Sequence, residues 1–457
     1  MTAYVFENLH FNDSWLSPGT LVIDDAGCIT SVEAGHTDES AKLISGLAIP
    51  GMANLHSHAF QRAMLGLTEF RSSKSSDSFW TWRERMYQLA LTMSPKDLEA
   101  IAAQLYVEML ASGITSVGEF HYLHHDFDGS AYSNCTQMSE RIFAAAHSAG
   151  MSLTHLPVLY VNGGFGLPTS SEQRRFSHRD LDSFMRMFEQ LQNIVKTSEH
   201  NRLGVAPHSL RAVNPECLHE LVSALDTETP IHIHIAEQIK EVEDSIQYLG
   251  ARPVEWLYDN FQVNERWCLV HATHLDSKEI ELMAKSHAVA GLCPTTEANL
   301  GDGIFPARSF LESGGRFGIG TDSQVNVSVN GELRLLEYGQ RLRDWERNVL
   351  ASSEQASVGR RLFDAAAEGG AKALSQPIGK LSPGFRADIV VLDLDHPRLY
   401  GQSLESVLDA WIFGHVESGV RDVMVAGQWQ IQNGEHVRGP HIFQEYQAVV
   451  RNLWNDD

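Results

Sequence analysis

Four short segments carry metal-ligating and proton-transferring residue types at spacings that would let them act together. The first is Asn54-Leu55-His56-Ser57-His58. In extended backbone, positions two apart share a face, so the imidazoles of His56 and His58 point the same way and suit two nitrogen ligands on one divalent cation. An H-x-H pair alone is weak evidence, but this one follows directly on the apolar run LAIPGMA. The second segment is His232-Ile-His234-Ile-Ala-Glu237. His234 lies nearer the end of its run and reads as a ligand, and Glu237 follows closely enough to serve the same ion's water as acid or base. His232 sits deeper and reads as a satisfied core histidine. The third segment, Val270-His271-Ala-Thr-His274, again ends an apolar run on a histidine. His271 is a candidate ligand, electrostatic stabiliser or base, whereas His274 falls in the following loop. The fourth is Gly320-Thr321-Asp322-Ser323. A carboxylate at the end of a buried strand is costly unless ligated or paired, so Asp322 is a candidate ligand and proton shuttle. Together these residues suit metal-assisted hydrolysis.

Such residues must be held by rigid elements. Between about 50 and 375, apolar strand-like runs (among them ITSVGEF, LTHLPVLYV, PIHIHIAE, WCLVHAT and FGIGTDS) alternate with amphipathic helical stretches. PKDLEAIAAQLYVEMLASG and MSERIFAAAHSAG have helical periodicity and end at Gly113 and Gly150, as helices often do. Eight such runs over this length predict an α/β chain with a (β/α)8 TIM-like barrel, in which chemistry sits at the C-terminal strand ends. Residues 1–48 and 376–457 are β-rich, with turns at Asp25-Ala26-Gly27, Gly427 and Asn433-Gly434. Neither end has enough strands to be stable alone. They are expected to form one small β-sandwich domain from both chain ends, around a metal-dependent barrel over 49–375.

The formal charge of -23 argues against nucleic acid or an anionic membrane as partner. No apolar stretch approaches a membrane span. The opening MTAYVFENLHFNDSW lacks a basic region followed by an apolar run, so a cytoplasmic chain without a signal peptide is expected. Cys28, Cys135, Cys217, Cys268 and Cys293 form no C-x-x-C pair, so neither a thiolate zinc site nor a disulfide framework is indicated.

The order H-x-H, H-x-x-E, H and D, with the terminal GFRADIVVLD, resembles the amidohydrolase superfamily, specifically its deaminase branch. The resemblance covers essentially the whole chain. It is closest to the formimidoylglutamate deiminase family, through NLHSHAFQRAMLGLTE, SFWTWRERMY, GEFHYLHH, APHSLRAV, HIHIAEQ and CPTTEANLGDG. It implies one zinc on His56, His58, His234 and Asp322, with His271, Glu237 and Asp322 as catalytic proton-handling residues. It further implies that Gln61, Arg83, Tyr122, His208 and Arg211 contact substrate, although Arg62 and Arg85 lie near enough to compete with Arg83.

The implied reaction is hydrolytic deimination of N-formimidoyl-L-glutamate to N-formyl-L-glutamate and ammonia, a step of histidine degradation. Guanidinium forks bind carboxylates bidentately, so an arginine pair would explain how an acidic protein accepts a small dicarboxylate amidine. The runs LTHLPVLYV and LGVAPHS contain no lysine or acid, which favours one metal over two. A homodimer is expected from the family alone. The alternatives are an aromatic-amine deaminase with Trp80 and Trp82 stacking on a ring, and a non-catalytic metal-binding protein. A binding protein would need neither Glu237 nor His271.

Overall fold

The computed structural model describes residues 1–36, 41–70, 78–416 and 419–453. Eight parallel strands form the central sheet: β1 (Met52–Ser57), β2 (Ile114–His121), β3 (Ser152–Leu159), β4 (Ala206–Pro207), β5 (Ile231–Ile235), β6 (Trp267–His271), β7 (Val289–Leu292) and β8 (Arg316–Ile319). Their spatial order is β4-β3-β2-β1-β8-β7-β6-β5, with the short strand Arg202–Leu203 beside β3. Parallel bridges Val205–Ile231 and Ser209–His234 join the ends of that path, so the sheet curls into a closed ring. Strands covered on both faces must be apolar throughout, which is why these runs read as continuous rather than alternating.

Helices fill the crossovers. In Pro95–Ala111, Ser94 accepts from the Asp97 N–H, proline occupies the first turn, and Gly113 (φ 93°) turns the chain after the last turn. Leu98, Ile101, Leu105 and Met109 form its buried stripe. Truncating any one to alanine would cost ~2–5 kcal/mol through lost transfer energy and a residual cavity. Helix Gln137–Ala149 stops at Gly150 (φ 71°), again as the periodicity predicts.

Both chain ends build a second, mixed sheet. Thr2–Phe11 pairs in parallel with Leu43–Pro50, and Leu43–Pro50 pairs antiparallel with Ile389–Leu392. The hairpin of Gly19–Ile23 and Ile29–Ala34 turns through Gly27 (φ 78°), and Gln428–Gln432 turns into Glu435–His436 through Asn433 and Gly434. The two sheets are coupled. Arg386, buried against Asp388 with Nη2–Oδ2 at 2.7 Å, also donates to Ser152 Oγ at the start of β3 at 2.8 Å. Leu43–Pro50 continues through Gly51 directly into β1, so the small sheet anchors the strand that carries His56 and His58. Among the described residues no helix is long and apolar enough to cross a membrane, and the cysteines are free.

Candidate active site

The histidines converge where the strands end. His56 Nε2 and His234 Nε2 lie 3.0 Å apart, and Asp322 Oδ1 stands 3.4 Å from His56 Nε2 and 3.2 Å from His58 Nε2. The His58 ring is aimed by its other nitrogen: Nδ1 is 2.9 Å from the Phe120 carbonyl, which can only accept, so Nδ1 carries the proton and Nε2 is left as a donor atom. His56, His58 and His234 form one set of ligand atoms within 4.8 Å of one another, and His56, His271 and Asp322 form another. Three imidazoles and a carboxylate, all buried, match the donor chemistry of a divalent transition metal. These residues fit such an ion.

Backbone strain concentrates here. Ala236, His271, Ala272, Asp322 and Gln324 all have φ between 44° and 68°, the left-handed region that non-glycine residues avoid. The surrounding bonds sustain it. Asn54 on β1 donates to Thr321 Oγ1 at 2.7 Å and accepts from the Thr321 N–H at 3.1 Å, tying β1 to the turn bearing Asp322. Gln324 donates to the Asp322 carbonyl at 2.6 Å and to Ser57 Oγ at 3.0 Å. Ser57 donates in turn to Glu119 Oε2 at 2.8 Å, while Glu119 Oε1 accepts the Ala59 N–H at 2.6 Å and Tyr106 donates to Oε2 at 3.1 Å. Glu119 thus clamps the turn immediately after His58.

A cavity open to solvent sits above this cluster. His58, His234, His271, Asp322 and Glu237 line it together with Gln61, Arg83, Tyr122, His208 and Arg211. Of the candidate site residues only His56 lies outside the lining, beneath the floor, with its ring 4.6 Å from His58 and 4.8 Å from His234. Gln61 donates to the Tyr122 hydroxyl at 2.7 Å. Arg83 stacks over Trp80 at 4.5 Å, and Arg211 Nε is buried without a hydrogen-bond partner. Among the described residues, neither arginine has an ion-pair partner within 4.0 Å. Arg62 is engaged elsewhere, paired with Glu108 at 2.8 Å, and Arg85 is exposed away from the cavity. Trp82 lines the cavity, whereas Trp80 lies under the Arg83 guanidinium. His232 bonds the Ala373 carbonyl at 2.8 Å, as expected of a core histidine, and His274 is half-buried outside the lining.

The electrostatics divide the cluster. Burial drives His56 down to about 3 and His234 well below its ordinary value, which keeps both neutral. Burial alone would raise Asp322, but the His56 and His58 imidazoles packed against it outweigh that and hold the carboxylate well below its usual range. His271 goes the other way: burial is overcome by Glu237, Glu297 and Asp322, and its pKa rises to about 10. Burial raises Glu237 despite His271 and Arg211 nearby. The Glu237 backbone is held from below, because its N–H and that of Ala236 donate to Glu241 at 3.1 and 3.3 Å.

Comparison with known proteins agrees with this geometry. The amidohydrolase family model matches residues 47–430. The chain belongs to the amidohydrolase family. This amidohydrolase is 49% identical over 454 residues to the formimidoylglutamate deiminase of Pseudomonas aeruginosa, covering 99% of this chain and all of the relative. A crystal structure of an amidohydrolase from Brucella melitensis superposes with a TM-score of 0.93 at 47% identity, covering 99% of this chain and 100% of that one. An adenosine deaminase from Xanthomonas campestris, solved with bound zinc, shares the fold at a TM-score of 0.81 and 20% identity, over 99% of this chain and 98% of that one. Amidohydrolases generally bind a divalent metal, in keeping with the donor set of this one.

Several residues that shape the amidohydrolase site carry no mark in the motif reading. Glu119 and Glu297 lie inside GEFHYLHH and CPTTEANLGDG without a ligand-like spacing, Asn54 and Gln324 act through neighbours distant in sequence, and Glu241 holds backbone N–H groups four and five residues before it. The sequence does hold one signal for Glu119. It is an acidic residue near the C-terminal end of a buried strand, the same signal that marks Asp322.

Proposed function

We propose that this amidohydrolase hydrolyses N-formimidoyl-L-glutamate to N-formyl-L-glutamate and ammonia, a reaction of histidine degradation. The observation that carries the reading is one cavity lined both by the histidine–carboxylate cluster and by two arginines that have no carboxylate partner among the described residues. The 49% identity to a formimidoylglutamate deiminase across essentially the whole chain supports the same substrate.

His56, His58, His234 and Asp322 would hold one divalent ion, with zinc as the proposed metal. When bound, such an ion supplies Lewis acidity and lowers the pKa of water toward ~7. A single ion is favoured because β3 and the segment through β4 offer no lysine or acid.

The chain's own residues account for the remaining chemistry. Arg211 and Arg83 bind the two carboxylates, with Gln61, Tyr122 and His208 bordering the substrate. His271 and Asp322, on either side of the site, orient the attacking water and accept its proton. Glu237, whose raised pKa favours its protonated form, donates to the terminal nitrogen. The water oxygen bonds to the formimidoyl carbon; the proton taken up by His271 then joins the one from Glu237 on the terminal nitrogen, the bond from that carbon to the nitrogen breaks, ammonia departs, and the remaining hydroxyl proton restores Glu237. The carbonyl stays on the glutamate nitrogen.

The division into 1–48, 49–375 and 376–457 belongs to the same reading, with the strand Leu43–Pro50 running across its first boundary. The test is ammonia release from N-formimidoyl-L-glutamate, measured beside a panel of nucleosides, purines and pterins. Turnover confined to that panel would replace the reading with an aromatic-amine deaminase. Stoichiometric metal without turnover of any amidine would leave a binding protein.

A further inference from the structure

One oxygen of Glu297 serves two neighbours. Its Oε1 accepts the Cys293 N–H at 2.9 Å and lies 3.4 Å from His271 Nδ1. Glu297 is buried on the helix Pro294–Leu300 that follows β7, while His271 ends β6. The opposite ring nitrogen of His271, Nε2, lies 3.8 Å from Glu237 Oε1 and 3.8 Å from Asp322 Oδ2. The imidazole is therefore flanked by carboxylates on both sides.

We infer that Glu297 is a positioning residue that holds the His271 ring with Nδ1–H toward itself and Nε2 toward the reacting water. This inference rests on the reading of His271 as the group that accepts the water's proton. Its physical basis is a competition. Glu237 and Asp322 are acceptors that would draw a ring N–H toward themselves, and a neutral imidazole that gave them Nε2–H could not take a proton there. An acceptor on the Nδ1 side reverses that preference. The backbone does not supply the orientation unaided, because His271 and Ala272 both lie at positive φ where the regular strand has ended. Glu297 is itself pinned: the Cys293 N–H fixes the oxygen that faces His271, and burial away from water strengthens both contacts. Cys293, Glu297 and His271 also form a buried group of potential ligand atoms within 4.8 Å, so a second bound ion is the rival explanation.

Glu297→Ala and Glu297→Gln separate these cases in the metal-loaded enzyme. Glutamine can keep its carbonyl oxygen between the Cys293 N–H and His271 Nδ1–H, preserving geometry without charge, whereas alanine removes the acceptor. Glu297→Ala should lower kcat by about 10–100-fold at nearly constant KM and unchanged metal content, the usual cost of losing an outer partner of a site histidine. Glu297→Gln should recover most of that loss. Crystal structures should show the His271 ring turned in the alanine variant and unmoved in the glutamine variant. An unmoved ring in Glu297→Ala, or an activity loss that tracks lost metal, would overturn the inference. So would a second stoichiometric ion that the substitution abolishes. The ring orientation needs no substrate, so failure of the ammonia assay on the parent enzyme would count against the proposed reaction while the crystal structures still decide the role of Glu297.

Discussion

His56 Nε2 and His234 Nε2 stand 3.0 Å apart although 178 residues separate them in the chain. Two neutral, buried imidazoles that close, with Asp322 Oδ1 beside them, form a preorganised donor set. Binding to it stabilises the folded state by mass action. At an ion concentration a thousandfold above its Kd the gain would be about 4 kcal/mol. Chelation should therefore abolish activity and lower the thermal midpoint together. Asp322→Ala should do the same at ordinary metal supply, measured by elemental analysis and thermal unfolding. Full activity of that variant at normal metal content would remove Asp322 from the ligand set.

Arg211 lines the cavity with a buried Nε that lacks a partner. Arg211→Met should retain metal but lose about 10- to 100-fold in kcat/KM for the dicarboxylate substrate, since each charge-assisted hydrogen bond contributes ~1.5–3 kcal/mol. A neutral formamidine should suffer far less. Equal losses on the two substrates, compared in steady-state assays, would show that Arg211 does not bind a carboxylate.

Arg62 provides the control. Its guanidinium is committed to Glu108 at 2.8 and 3.0 Å and lies 5.9 Å from the Tyr446 ring. Arg62→Ala should leave KM unchanged and cost at most about 1 kcal/mol of stability, in the range of a partly exposed ion pair. Arg83→Ala, by contrast, should raise KM. Steady-state kinetics on the two variants side by side decide which arginine binds substrate.

Glu119 couples the site to pH. Burial raises its pKa from 4.5 to about 7, against the hydrogen bonds from Ala59 and Ser57. Because the folded value lies above the unfolded one, protonation favours the folded state. This contribution is complete below pH 4.5 and is lost as pH rises through about 7. Urea unfolding at several pH values should show the difference in stability between parent and Glu119→Gln sloping across that window and flat outside it. A difference that is level throughout would mean that Glu119 does not titrate there.

Much of this protein is determined locally. The runs ending in His56-x-His58, His234, His271 and Asp322 are apolar because both faces of a parallel barrel strand are covered, and their polar ends are therefore the only places where ligands can emerge. That makes the barrel, the donor set and the acid Glu237 legible from spacing and position. The turns at Gly27 and Asn433-Gly434 are legible for a similar reason, since positive φ restricts residue choice at single positions. What the tertiary structure alone decides is which side chains support that set and which are already committed. Arg62 and Arg83 look equivalent in sequence, but Glu108 claims the first and leaves the second in the cavity. Asn54 holds Thr321 across 267 residues, and Glu119 and Glu297 act through a turn and a ring nitrogen supplied by other strands. Such partnerships join neighbouring strands whose residues lie far apart in the chain, so they exist only once the sheet has assembled, and no local pattern of residue types encodes them.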